Sequence, residues 1–372
     1  MKTNVLKSSF YLFISLFVLL FFSTNNAFSE TKEAGTHQNK KEKFNAGEMI
    51  IEHILDNHEW HIAKIGEKPI TIPLPVILYD NGKIVCFMSS KFHHGAEIYK
   101  GYKLELEGKN KGKIIKVNQD GEEDTSAALP IDFSITKNVL SLFISVFLLC
   151  WIFISIARRY KKRTDLAPKG LQSLLEPLIL FVRDDIAISS IGEKKYVKYM
   201  PFLLTIFFFI FINNLLGLVP FFPGGANLTG NIAVTLVMAI FTFIITTFSA
   251  NKHYWKEIYN APGVPWWLKI PIPLMPLVEI IGVITKPFVL MVRLFANITA
   301  GHIIALGFIS LIFIFGGIST GAGYGFSIVS VFFYVFMALL ELLVAFIQAY
   351  VFTLLSALYI GMASAEHHET AH

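Results

Sequence analysis

The sequence predicts an all-α polytopic membrane protein with five mature transmembrane helices, a surface amphipathic helix and a small β-containing exported N-terminal domain. Of its 372 residues, 54% are hydrophobic and only 16% are charged, which disfavours a large soluble core. Several apolar segments are long enough to cross a bilayer as helices. The net charge of +5 is concentrated in short basic runs beside these segments, which suits membrane orientation better than nucleic-acid binding. We therefore expect membrane lipid as a partner and no nucleic acid.

Residues 1–29 have the pattern of a secretory signal peptide. Lys2 and Lys7 precede an apolar core at residues 10–22, and the small-residue sequence Ala27-Phe28-Ser29 follows. Together these are the three parts of a signal that is cleaved on export. An uncleaved anchor is the alternative, but in either case the segment that follows is exported.

Residues 30–135 are predicted to form the exported, periplasmic domain. Alternating residues at 70–72 and 102–107 and the turn sequence Asp80-Asn81-Gly82 indicate β structure. Cys86 and Cys150 are the only cysteines, so no disulfide framework is expected. Histidines could suggest a metal site, but solvated or hydrogen-bonded histidines are the preferred interpretation because no ligand spacing supports the metal. These histidines are His53, His58, His61, His93 and His94.

The first transmembrane span of the mature protein is predicted at residues 138–157. Residues 158–163, which follow at once, contain five basic side chains in six positions. The positive-inside rule places that end of the span in the cytoplasm. Residues 168–198 then mix apolar and charged positions, which is typical of an amphipathic helix lying on the inner surface.

Four further spans complete the membrane domain, which is predicted to cover residues 136–363. They are residues 199–219, 231–250, 275–315 and 326–363, with breaks at 221–225, 262–276 and 316–325. At ~1.5 Å per residue the fourth span would be about 60 Å long, roughly twice the hydrocarbon thickness of a bilayer. The last two helices are therefore expected to be long and tilted, and the Gly-rich break between them predicts an antiparallel hairpin. Residues 364–372 would form a cytoplasmic tail.

Ionisable residues mark the fourth span. Glu279, Lys286 and Arg293 recur every seven residues, and Asn297 follows four residues later. At ~100° per residue these side chains share one helix face within about 40°, while His302 points away from it. A charge near the bilayer centre costs at least ~2.5–3.5 kcal/mol, so its default interpretation is a charge or ion pathway.

The last helix carries a second polar pair, Glu341 and Gln348, on one face. In an antiparallel hairpin Glu341 can reach the depth of His302, and a carboxylate and an imidazole at one depth are suited to passing protons. Arg293 cannot join such a relay because its guanidinium is never deprotonated. It could instead stand as a fixed cation between two water-accessible paths, acting on a carboxylate that the sequence does not place opposite it.

Structural alternatives remain open for each residue. Arg293 could form a static ion pair with Glu341 or another acid. Glu279 and Lys286 could extend to the cytoplasmic interface. Asn297 and Gln348 could simply hold helices together by hydrogen bonds. His302 could be a core histidine whose hydrogen bonds are satisfied.

The polar residues stand in recognisable motifs. Lys286-Pro287, the sequence Arg-Leu-Phe-Ala-Asn-Ile-Thr-Ala-Gly-His at 293–302, Glu341, and Gln-Ala-Tyr-Val-Phe-Thr-Leu-Leu at 348–355 resemble subunit a of the F-type ATP synthase. Residues 214–220 and 226–231 also match, and the resemblance covers roughly residues 135–363. Residues 30–130 fall outside it.

The resemblance implies a role for each site residue. Arg293 would face the proton-carrying carboxylate of a c subunit, and His302 and Glu341 would line the half-channel from the outer side. Gln348 would pack near the arginine, Asn297 would be the polar residue one turn beyond it, and Glu279 would lie toward the cytoplasmic exit. Val289 and Gly217 depart from relatives that have serine and aspartate there, so those positions support no role.

The implied function is that of the proton-translocating stator subunit, a non-catalytic, multi-pass protein of the cell inner membrane. Its partners would be the c-subunit ring, the b-subunit peripheral stalk and the remainder of the synthase, with no cofactor. The chain has no GxxxxGK[ST] phosphate loop, which fits ATP chemistry elsewhere in the complex. The residue types favour protons over sodium. A stand-alone ion-coupled transporter or channel is the main alternative, and a structural assembly subunit with an exported binding domain is another.

Overall fold

The computed structural model describes residues 45–65, 68–106, 108, 110–118, 121–124, 127–162, 168–219, 222–259 and 274–365. The predicted signal peptide at residues 1–29, the first part of the predicted exported domain, most of the Pro-rich loop and nearly all of the predicted tail lie outside these residues. Within them, the prediction of a mostly helical chain with five apolar spans and a small β-containing N-terminal region is confirmed.

The described part of the N-terminal region, residues 45–135, contains one α-helix, one 3-10 helix (Ser89–Gly95) and seven short strands. The α-helix is α1, Ala46–Ile54, and the strands are β1 (Glu59–Ile65), β2 (Lys68–Pro73), β3 (Pro75–Asp80), β4 (Lys83–Met88), β5 (Tyr102–Leu104), β6 (Ile114–Lys116) and β7 (Ile131–Asp132). They form three small antiparallel sheets in the orders β1-β2, β4-β3-β7 and β5-β6.

The predicted Asp80-Asn81-Gly82 turn joins β3 to β4 as a tight hairpin. Asp80 pairs with Lys83, and Asn81 and Gly82 have φ values of 45° and 79°, as a two-residue hairpin of this type requires. The predicted strand at 70–72 lies within β2, whereas the alternation at 102–107 gives only the three residues of β5. Leu78, Phe87 and Phe92 are the centre of a small apolar core beneath the β3-β4 hairpin.

Five helices are long and apolar enough to span a membrane within the described part of the chain. They are α2 (Lys137–Lys162), α5 (Tyr196–Leu218), α6 (Ile232–Ser249), α8 (Leu274–Ile318) and α9 (Thr320–Ser364). Their ends differ from the predicted ends by one to six residues. The two largest differences arise because basic residues at the end of α2 and glycine-rich residues at the start of α9 remain helical. Phe207, Phe208 and Phe209 of α5 are fully buried, so α5 lies at the centre of the bundle.

The amphipathic helix predicted at residues 168–198 is shorter and less superficial than expected. It consists of α3 (Leu171–Phe181), a π-helical turn (Val182–Ile188) and α4 (Ser189–Ile191). Val182, Ile186 and Ala187 are completely buried because the π-helical turn packs against α5 and α9. A further short helix, α7 (Lys252–Tyr259), follows α6.

The last two helices pack as an antiparallel pair. The predicted break at residues 316–325 is reduced to Ser319, whose hydroxyl accepts a hydrogen bond of 3.1 Å from the backbone N–H of Ala322 and so caps α9. Phe315 stacks on Phe326 with ring centroids 3.7 Å apart. Glycines on both sides of the turn stay helical, which membrane helices tolerate when their neighbours pack closely.

This hairpin is the most open part of the structure. In the most apolar stretches of α8 and α9 only 17% and 11% of residues are buried, compared with 61% and 50% in α5 and α6. Large apolar side chains such as Phe332 and Leu339 are more than half exposed. The hairpin therefore has a wide surface that lipid or another subunit must cover.

Candidate functional site

His302 of α8 and Glu341 of α9 lie together inside the hairpin. Nδ1 of the imidazole is 3.9 Å from Oε1 of the carboxylate, and the two side chains are 19% and 12% exposed. Glu341 Oε1 is buried and accepts no hydrogen bond from the described residues. A proton could pass directly between the two groups if the gap closed by about 1 Å, to ordinary hydrogen-bond distance.

Two glycines provide the space around this pair. A Cβ atom at residue 301 would lie 2.8 Å from Glu341 Oε1, and one at residue 217 would lie 3.6 Å from His302 Nε2. Gly301 therefore lets Glu341 approach α8, and Gly217 of α5 leaves room beside the imidazole. The sequence departure at Gly217 is thus adjacent to the site.

A loop between α5 and α6 closes one side of the site. We call residues 222–231 the bridging loop. The Thr229 hydroxyl donates a hydrogen bond of 2.5 Å to Asn214 Oδ1, and the Asn214 amide donates one of 3.2 Å to the carbonyl of Ala345. The Thr299 hydroxyl donates to the Gly230 carbonyl at 3.4 Å. The bridging loop is therefore bonded to both α5 and α8 near the His302–Glu341 pair.

Arg293 lies near the middle of α8 with its side chain exposed. Leu290 and Leu294, its neighbours on α8, are buried, so the exposed arginine lies at the edge of the buried face of the helix. It is close enough to Tyr359 of α9 to interact with it electrostatically. Among the described residues no carboxylate forms an ion pair with the arginine, so the static pair with Glu341 that the sequence left open as an alternative is not formed there. Asn297, one turn further on, is exposed on the same face.

Lys286 and Glu279 occupy the other half of α8. The Lys286 ammonium lies 5.9 Å and 5.5 Å from the ring centroids of Tyr254 and Tyr359, which is within the range of cation–π attraction. Burial raises the pKa of the Tyr254 hydroxyl, and the negative charge of Glu279 raises it further. Lys286 is thus held between two aromatic rings, beside a small cleft lined by Thr242, Thr246 and Pro287.

Gln348 is buried at 5% exposure in the row of α9 residues that faces the bundle. The described residues include no hydrogen bond between Gln348 and Arg293. The structure therefore brings together His302 and Glu341, and places Arg293 with Asn297 on one open face, but it does not join these two groups into a single contact network.

Several residues of the site have no role in the sequence prediction. Asn214 and Thr229 lie in segments that resemble the family. Two polar side chains beside apolar spans could have indicated a hydrogen bond between these segments. Tyr254 and Tyr359 were not identifiable, because an aromatic residue at a helix end has many ordinary explanations. Within the described residues no three His, Cys, Asp or Glu side chains gather as a metal site would require.

A family model described as "ATP synthase A chain" matches residues 139–361, which covers more than half of the sequence and contains every proposed site residue. The chain belongs to the ATP synthase A chain family. The predicted resemblance is therefore confirmed.

Relatives named ATP synthase subunit a are similar to about two thirds of this chain. "ATP synthase subunit a" of Chloroherpeton thalassium is 46% identical over 250 residues, which is 65% of this chain and 70% of the relative. "ATP synthase subunit a 2" of Prosthecochloris aestuarii is 46% identical over 243 residues, 64% of this chain and 71% of the relative. The Myxococcus xanthus subunit is 44% identical over 249 residues, 65% of this chain and 77% of the relative.

The N-terminal region matches a different family. Residues 49–133 fit a model described only as a domain of unknown function (DUF8433). Family membership of the membrane domain therefore assigns no role to this region.

Proposed function

We propose that this protein is the proton-translocating stator subunit of an F-type ATP synthase. Its membership in the ATP synthase A chain family supports the assignment, as do relatives named ATP synthase subunit a. In this proposal the chain provides two offset half-channels to the carboxylates of a c-subunit ring. Proton flow through them is coupled to rotation of the ring and so to ATP synthesis, while this chain is not itself catalytic.

The observation that carries the mechanism is the exposed Arg293 without an ion-pair partner among the described residues. A guanidinium stays charged, and leaving it against lipid near the middle of a membrane would cost several kcal/mol. A carboxylate of another subunit resolves this cost. When a rotor carboxylate reaches Arg293, the fixed cation lowers the pKa of that carboxylate and makes it release its proton.

Proton uptake would use the His302–Glu341 pair. Nine residues separate His302 from Arg293, or about 13 Å along the helix. A proton from the outer side would pass by Glu341 and His302 to a rotor carboxylate. Gln348 and Asn297 would keep the surroundings of the arginine polar on the two helices, and Arg293 would prevent a direct leak between the half-channels.

Proton release would occur toward the other end of α8. Glu279 lies 14 residues before Arg293, or about 21 Å. Lys286 and Glu279 are close enough to interact electrostatically, and both are partly buried. We assign this half of α8 to the cytoplasmic exit.

The proposal fixes the placement of the chain. The protein would be a multi-pass protein of the cell inner membrane with a signal peptide at residues 1–29. Residues 30–135 would lie in the periplasm, residues 136–363 in the membrane and residues 364–372 in the cytoplasm. The α8–α9 hairpin would be tilted against the c-subunit ring, the b-subunit peripheral stalk would hold the chain still, and protons would be the coupling ion.

Replacing Arg293 in the native complex tests the proposal. Arg293→Ala removes the fixed cation, so proton-driven ATP synthesis in membrane vesicles should fall about 10- to 1000-fold, as expected when a carboxylate pKa shift of 1–3 units is lost. Arg293→Lys keeps a positive charge but loses the planar guanidinium, so it should retain more protection against passive proton leak than Arg293→Ala.

The control is Val292→Ala, an apolar truncation at the neighbouring position, which should synthesise ATP normally. Normal synthesis in assembled Arg293→Ala complexes would contradict the mechanism. Transport by the purified chain alone in liposomes tests the alternative function. A stand-alone transporter would move ions or solute without the c-subunit ring, whereas a stator subunit would not.

A further inference from the structure

Among the described residues, the N-terminal region contacts the bridging loop, α8 and the start of α2. Trp60 in β1 is only 3% exposed, and its ring meets Phe222 of the bridging loop edge to face, with centroids 5.2 Å apart. The helix α1 packs against α8. The third contact is the junction with α2, where the backbone N–H of Lys137 donates to the Asn57 carbonyl at 2.8 Å.

The junction with α2 is held by buried polar groups. The Asp56 carboxylate accepts hydrogen bonds from the Thr136 hydroxyl at 2.7 Å and from the Asn138 backbone N–H at 3.0 Å. Burial raises the pKa of Asp56, although these hydrogen bonds act in the opposite direction. Nearby, His58 Nε2 lies 2.8 Å from Asp132 Oδ2. Hydrogen bonds in a region of low dielectric constant restrain geometry strongly, so these contacts anchor the start of β1 next to α2.

The Trp60 contact leads through the bridging loop to the proposed uptake site. Phe222 is on this loop, and so are Thr229 and Gly230, which are bonded to Asn214 and Thr299. Thr299 precedes His302 by three residues, so the two lie on neighbouring turns of one side of α8. Asn214 in turn bonds Ala345, one turn after Glu341.

We propose that the N-terminal region clamps the bridging loop and that Trp60 is a positioning residue for proton uptake. The ring of Trp60 fixes Phe222, and the loop then holds α5 and α8 at the spacing that brings His302 to Glu341. This gives residues 45–135 a function in the stator, and it rests on the proposed function of the His302–Glu341 pair. An edge-to-face aromatic contact suits this task because it restrains both distance and orientation.

Four variants of the native complex test the clamp. In Trp60→Ala and Phe222→Ala, ATP synthesis limited by proton uptake should fall about threefold to tenfold, the range in which contact networks modulate coupling between sites. Half-maximal synthesis should then require a lower outer pH, while the maximal rate at saturating proton supply should change little. The double variant should be no worse than either single one, because both remove the same contact. Trp60→Phe keeps a ring and should restore most of the activity.

The control is Tyr79→Ala, which removes an aromatic side chain that is 42% exposed in the same region. It should leave the dependence on outer pH unchanged. Unaltered synthesis in both Trp60→Ala and Phe222→Ala, or losses that simply add in the double variant, would overturn the clamp. If Trp60→Ala fails to assemble, Phe222→Ala alone decides, since it leaves the N-terminal region intact.

Glu341→Leu separates the two proposals. If it stops uptake while the Trp60 and Phe222 variants behave as the wild type, the clamp is wrong and the proposed function stands. If Glu341→Leu leaves both the rate and its dependence on outer pH unchanged, the assignment of the uptake path itself fails.

Discussion

At the residue scale, the proposed uptake path depends on a position without a side chain. Glu341 lies against Gly301, where a Cβ atom would come within 2.8 Å of Oε1 and 3.2 Å of Cγ. Such distances are too short for carbon and oxygen atoms in van der Waals contact. Any other residue at 301 would push the carboxylate away from α8, and with it away from His302.

Gly301→Ala should therefore weaken proton uptake without unfolding the protein. Alanine favours the helix by up to ~1 kcal/mol over glycine, and the Glu341 side chain can rotate away, so assembly should be retained. Misplacing an acid–base group should lower uptake-limited ATP synthesis about tenfold or more. The measurement is the initial rate of synthesis in vesicles as a function of outer pH.

Gly307→Ala is the matched control for this prediction. It makes the same change on the same helix, where a Cβ atom would have no neighbour within 4 Å. The control should behave as the wild type. Equal rates in both variants would mean that the approach of Glu341 to α8 is unimportant.

At the element scale, helix packing depends on close backbone contacts at the other end of the hairpin. Gly361 of α9 faces the backbone of Ser190 in α4, and a Cβ atom at residue 361 would overlap the Ser190 carbonyl. A rigid backbone cannot move aside as a side chain can. The glycine at residue 361 therefore allows α4, the short helix before α5, to pack closely against α9.

Gly361→Ala should destabilise the folded chain by about 1–3 kcal/mol, the usual cost of an overpacked contact. Thermal unfolding of the complex in detergent, followed by circular dichroism, measures the change. Gly325→Ala on the same helix has no neighbour within 4 Å of its Cβ atom and should be neutral or slightly stabilising. A Gly361→Ala complex as stable as Gly325→Ala would show that α4 and α9 separate easily.

The spans were predictable because each has enough apolar residues to cross a bilayer. The ends of the spans were less predictable. For example, α2 continues through the basic run to Lys162, since lysine and arginine are good helix formers. The Gly-rich stretch after α8 was expected to be a long turn, but packing between the two helices keeps most of it helical. For residues 168–198, the apolar positions were visible in the sequence, whereas their burial against α5 and α9 was not.

The candidate site was predictable in part. The proximity of His302 and Glu341 follows from an antiparallel hairpin, because depth in the membrane can be counted along each helix. The seven-residue spacing of Glu279, Lys286 and Arg293 likewise predicts a shared face. The contact of Trp60 with Phe222 follows no periodicity and joins distant parts of the chain, so only the fold reveals it.

At the scale of the whole molecule, the chain is asymmetric. α5 and α6 are packed on most sides, whereas the α8–α9 hairpin presents exposed apolar side chains along its length. Arg293 and Asn297 are polar positions within this open face. A charge at this position is unfavourable on a surface that faces lipid. It is favourable on a surface that faces a rotating ring of carboxylates. We therefore propose that this face of the hairpin lies against the c-subunit ring.

Disulfide cross-linking tests that claim most directly. Asn297→Cys would be combined with a cysteine beside the proton-carrying carboxylate of the c subunit, in a chain with Cys86→Ser and Cys150→Ser. Phe147→Cys on α2, which is 73% exposed, is the control. We predict that oxidation joins residue 297, but not residue 147, to the c subunit and stops proton-driven ATP synthesis until a reductant is added. Cross-linking from residue 147 instead, with residue 297 accessible only to lipid-soluble reagents, would contradict the account.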